Sequence, residues 1–135
     1  MRNLNWSEEE IYLIAERGHS FHLEGRYREA CVIFQGLIAV DPENRYVAES
    51  LAAAWLALGE HQRAVEQLNI LLTKQPADLA VRARRMEAYL MGGNFAAAIQ
   101  DFEFLEHLLP AHEVRRLELS LESWARRTAR PDLPD

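Results

Sequence analysis

Glu16, His19 and His22 stand three residues apart in a stretch of helical periodicity, so all three project from one side of a helix. Imidazole and carboxylate are donors that zinc accepts. A zinc site needs three or four such donors in fixed geometry, and here no fourth ligand and no zinc-protease spacing accompanies the line. It therefore reads as polar groups on the rim of a helix face. The single cysteine, Cys31, excludes an internal disulfide, fits a reducing compartment and reads as a packed, inert thiol. His61, His107 and His112 make no constellation with it. Glu8, Glu9 and Glu10 crowd the start of a helix, where the macrodipole favours negative charge. Each glycine has a structural explanation, so no phosphate-cradling loop exists. The expectation is a protein with no catalytic set, no metal site and no cofactor, hence not an enzyme.

The elements carrying these residues repeat. Gly25, Gly59 and Gly93 are 34 apart, as are Ala30, Ala64 and Ala98, and Pro42, Pro76 and Pro110. Between them, apolar residues recur at helical spacing. The pattern predicts helices over about 7–24, 27–39, 44–58, 61–74, 79–91, 95–108 and 112–127. Ser7 with Glu10 has capping-box spacing, and Trp6 with Ile11 that of a hydrophobic staple. The glycines end the first helix of each pair, where a positive φ is needed. The alanines sit where paired helices cross closely, and the prolines restart the chain. The fifth helix is the least apolar, with Arg82 and Arg85 in places where earlier repeats partly bury side chains. Val114, Leu117, Leu121 and Trp124 form a narrow stripe on the last helix, as a terminal cap requires. Thr128 to Asp135 is expected to be a disordered tail.

Composition narrows the function classes. Apolar residues make up 49% of the 135-residue chain, enough for a real core, and the formal net charge of −6 argues against nucleic acid as a partner. No apolar run approaches a membrane span, and Met1 to Asn5 lacks a secretory h-region, so a soluble cytoplasmic protein is expected.

A period of 34 residues built from two helices is that of the tetratricopeptide repeat. Residues 11–44, 45–78 and 79–112 resemble three such repeats within one domain (1–127), with a capping helix over about 112–127. Gly18, Ala52 and Met86 hold the family's small eighth position; methionine there predicts a looser crossing in repeat three. The resemblance implies an all-α, short right-handed superhelical solenoid whose first helices line a concave groove. Carried over, the groove positions are Tyr12, Ala15, His19, His22 and Leu23, then Tyr46, Glu49, Ala53 and Leu56, then Arg84, Glu87, Leu90 and Met91. Glu16, Ser50 and Ala83 accompany them. Leu90 and Met91 either join the groove or cover the last helix. The clamp that grips the acidic tail of heat-shock chaperones is absent, since its positions hold Ala15, His19, Ser50, Ala80 and Arg84.

The stretches from Gly25 to Pro42 and from Leu56 to Ala64 resemble the repeat chaperones of bacterial type III secretion systems. That likeness implies a cytoplasmic, virulence-associated chaperone holding an apolar segment of a secreted translocator or export-apparatus protein. The alternative is a scaffold adaptor in a regulatory or cell-envelope complex, working through the convex face or the cap helix, where Leu119 lies off the stripe.

Overall fold

The computed structural model describes residues 6–129. Within them the chain forms seven helices and no strand: α1 (Glu8–Leu23), α2 (Tyr27–Val40), α3 (Arg45–Ala57), α4 (His61–Lys74), α5 (Leu79–Met91), α6 (Phe95–Leu105) and α7 (Ala111–Ala129). Each of the first six packs mainly against its neighbours in sequence, so α1–α2, α3–α4 and α5–α6 are antiparallel pairs stacked in a row, and α7 lies against both α5 and α6.

Local chemistry sets each helix start. Ser7 Oγ accepts from the Glu10 N–H at 3.1 Å, and Glu10 Oε1 accepts from the Ser7 N–H at 2.9 Å, completing the capping box of α1. Asn44, Asp78 and Asn94 cap α3, α5 and α6 by accepting from the N–H groups of Val47, Val81 and Ala97. The turns inside the pairs are three copies of one motif. Gly25, Gly59 and Gly93 have φ of 79°, 82° and 80°. Each following residue donates its N–H back five residues at 2.8 Å, Arg26 to Phe21, Glu60 to Trp55 and Asn94 to Tyr89. Each glycine N–H itself reaches the carbonyl three residues back, which completes a Schellman ending. A Cβ at these glycines would meet nothing within 4 Å, so backbone conformation alone demands glycine.

Packing demands the small residue at Gly18. A Cβ there would lie 2.9 Å from both Ile33 and the Phe34 ring. Met86, at the equivalent place in the third pair, corrects the expectation of a loose crossing. It is fully buried with Leu90, Ala98, Leu105 and Leu117, and α5 packs on α6 as closely as α3 does on α4. An unbranched thioether can thread a gap that a branched side chain would force open.

Two boundaries also differ. The helix predicted to reach 108 ends at Leu105, whose carbonyl accepts from the N–H groups of Leu108 and Leu109 in a tight turn. Leu109 then packs into the third core cluster. At the other end α7 runs to Ala129, and Thr128 Oγ1 donates to the Trp124 carbonyl at 3.0 Å. Thr128 and Ala129 are therefore helical; the rest of the stretch expected to be disordered lies outside the described residues.

Candidate functional site

Three first helices meet on one side of the stack. α1 brings His19 and His22, α3 brings Tyr46, Glu49, Ser50 and Ala53, and α5 brings Arg84 to the rim of one hollow of about 270 Å³. Phe34 of α2 reaches through to its wall. It is a second-helix residue that groove positions alone do not point to; its bulk opposite Gly18 is the signal that could have found it.

A second hollow of about 560 Å³ adjoins it along the α1–α3 seam, lined by Tyr12, Ala15, Glu16 and Tyr46 with Glu8, Ile11, Asp41 and Asn44. Tyr46 borders both. Its hydroxyl donates to Glu16 Oε2 at 3.3 Å across 30 residues of sequence. Burial raises the Tyr46 pKa above its ordinary value and the Glu16 charge adds to this, so the hydroxyl stays protonated and donating.

The histidines stand side by side, their rings stacked with centroids 6.5 Å apart and planes 14° from parallel. Burial first, and the neighbouring His19 second, hold His22 below the usual histidine pKa. Glu49 is engaged by Arg45 Nε at 3.0 Å, and the same guanidinium reaches Asp78 at 2.6 Å, tying α3 to the start of α5. Among the described residues, no group of three or more His, Cys, Asp or Glu is placed to hold a metal ion. Burial pushes the Cys31 thiol above its ordinary pKa.

The structure disperses the other groove positions. Ala15 is fully buried and offers only a floor, because α1 runs close against its neighbours there. Leu90, 1% exposed, is a core residue packed with Leu117 of α7 and does not face the groove. Of the two readings for Leu90 and Met91, covering the last helix holds for Leu90, whereas Met91 is exposed. Leu56 packs against the second core cluster, Leu23 is 76% exposed at the end of α1, and Glu87 faces Arg116 of α7 at 3.9 Å. None of Leu23, Leu56, Glu87, Leu90 and Met91 lines the two hollows.

Sequence reasoning also missed what Arg82 and Arg85 do. Asp101 of α6, only 2% exposed, accepts from Arg85 Nε at 3.0 Å and Nη2 at 2.5 Å, a bidentate fork. Arg85 Nη1 donates to Asn69 Oδ1 at 3.0 Å, so the cluster spans α4, α5 and α6. Arg82 donates to the Pro76 carbonyl at 2.8 Å and lies over the Phe104 ring at 3.9 Å. The available signal was a shared phase in the period, since Asp101 stands one repeat after Gln67 and Arg85 one repeat after Leu51.

Comparisons with known proteins agree with this architecture. Residues 21–83 match the profile of a tetratricopeptide repeat family. A curated relative, an inactive TPR repeat-containing thioredoxin of Arabidopsis thaliana, is 34% identical over 94 residues. That match covers 70% of this chain and spans only 14% of the relative's length. PcrH of Pseudomonas aeruginosa, solved with the chaperone binding region of PopD, superposes with a TM-score of 0.75 at 23% identity, covering 95% of this chain and 98% of that one. The type III secretion chaperone SycD of Yersinia enterocolitica, solved with a peptide of the translocator YopD, gives a TM-score of 0.77 at 17% identity, covering 93% and 99%. With its 34-residue period, three identical glycine turns and these neighbours, the chain has an all-α tetratricopeptide repeat fold, and that fold resembles the one of the type III secretion chaperones.

Proposed function

We propose that this chain is a binding scaffold whose concave hollow holds an apolar segment of a partner protein, as a chaperone or adaptor. The observation that carries the reading is the convergence of α1, α3 and α5 on one hollow walled by Phe34 and Ala53 and rimmed by His19, His22, Tyr46, Glu49 and Arg84. Its volume suits one or two apolar side chains. Each anchored side chain contributes roughly 1.5–3 kcal/mol by burial, and ordering the segment offsets several kcal/mol of the total. Micromolar to nanomolar affinity follows, in keeping with a partner that is later released. The partner class favoured is a type III secretion translocator or export component met in the cytoplasm, on the likeness to solved chaperones that hold translocator segments.

A second reading, a scaffold adaptor working through the other face, has one observation in its favour. A hollow of about 540 Å³ opens there between α2, α3 and α4, lined by Ile38, Leu51, Trp55 and Ile70. Affinity capture from the source cells separates the two. Ala53→Glu should abolish capture of the partner while Ile70→Glu leaves it intact, with helicity and melting temperature checked for both. The opposite pattern would move the site to the convex face, and capture unaffected by either would overturn the groove reading. Leu90→Glu is no test, because it places a charge in the core.

A further inference from the structure

We infer that the concave face is a two-part site selecting a segment that carries a basic side chain about three residues from its apolar anchor. This rests on the groove reading above. The two hollows that meet at Tyr46 differ in kind. The one at the start of α1 has an apolar floor of Ile11 and Ala15, and its rim holds the carboxylates of Glu8, Glu16 and Asp41. A lysine or arginine fits that combination, its methylene stem on the floor and its charge at the rim. The exposed Tyr12 ring beside them adds a face that attracts cations. Among the described residues, no ion pair engages any of these three carboxylates. Glu16 accepts the Tyr46 hydroxyl, and Asp41 accepts from Asn44 Nδ2 at 3.4 Å; both contacts are neutral and leave the negative charge uncompensated.

The hollow at the end of α1 is lined by His19, His22 and Arg84, and its one carboxylate, Glu49, is held by Arg45. Charge therefore changes sign along the seam, which gives a bound segment a direction as well as two anchors. The net charge of −6 draws basic segments towards the chain from a distance. Spacing follows from helix geometry. Tyr12 and His19 are seven residues apart on α1, about 10 Å at 1.5 Å per residue. An extended segment covers that distance in about three residues. The site thus takes a basic residue, two or three of any kind, then an apolar anchor, read in one direction or the other.

The test is selection of random peptides of about twelve residues, displayed on phage, against the full chain. The expected result is enrichment of Lys or Arg three or four positions from a large apolar residue. In the best peptide, Lys→Glu should weaken binding about tenfold, equivalent to about 1.4 kcal/mol. Binding should also weaken between 0.1 and 0.5 M salt. Glu16→Gln with Asp41→Asn should erase the preference for the lysine peptide over its norleucine analogue while the apolar anchor still matters. Enrichment of apolar residues alone would overturn the two-part site and leave the groove standing. Selected peptides indifferent to Ala53→Glu, or no selected peptide at all, would overturn both.

Discussion

Both junctions between repeats carry an apolar cluster, with Phe34, Leu37 and Val47 at the first and Leu68, Leu72 and Val81 at the second, but one place beside that cluster differs in chemistry. Between the first and second repeats, Leu51 is buried in an apolar cluster with Phe34 and Leu37. One period later the same place holds Arg85, forked onto the buried Asp101 and braced by Asn69. Ile70 at the first junction corresponds to Phe104 at the second, where the ring carries Arg82 on its face. The first junction keeps an open hollow beside Leu51 and Ile70. In a stacked fold each interface contributes almost independently, so such a local replacement is tolerated without changing the architecture. Apolar packing supplies non-directional stability; a bidentate pair supplies geometry, because it holds at one separation and angle.

The largest test of that contrast is Asp101→Ala, which removes the carboxylate forked by Arg85 and reached by Arg82 at 3.5 Å. Loss of about 3–5 kcal/mol is expected by denaturant titration, whereas Arg85→Leu with Asp101→Leu should be neutral or stabilising. A mild single variant would show that the ionic junction carries little energy. Leu51→Ala at the apolar junction should remove about 2–5 kcal/mol through lost burial and a cavity. Hydrogen exchange should then show the first and second repeats loosening, while Asp101→Ala loosens the third. Gly25→Ala, Gly59→Ala and Gly93→Ala serve as the internal standard. Each should lose about 1–2 kcal/mol by forcing a side chain into left-handed backbone. Unequal losses would mean the repeats differ at their turns as well as their junctions. The smallest effect concerns the concave rim of the first junction. His22 is held below its ordinary pKa, so the unfolded chain takes up the proton first and stability falls as pH drops through about 6.5, the ordinary value. The melting temperature should fall slightly between pH 7.5 and 5.5, and His22→Asn should lessen the fall.

The fold was legible because its signals are local. A glycine that must take positive φ, a proline that cannot continue a helix and a capping box each act over a few residues, and the period repeats them. The helix ends that were misplaced lie around 105–110 and at 128–129, where Leu109 packing and the continuation of α7 override the proline and the polar tail as stop signals. The candidate site was legible only in part. His19, His22, Tyr46, Glu49, Ala53 and Arg84 come together because repeat geometry fixes which face they occupy. Leu90 failed because its accessibility depends on how closely α7 folds over it, which no spacing within a repeat encodes. Asp101 was missed because a buried carboxylate becomes visible only beside its arginines, on a different helix.

The most direct measurement is of the imidazole resonances, since the five histidines sample the concave face, a turn and the far end. The full chain is titrated with the best selected peptide and followed by proton NMR. The groove account predicts that His19 and His22 shift in a saturable manner while His61, His107 and His112 stay in place. Shifts confined to His61, His107 or His112, or no shift at saturating peptide, would contradict it.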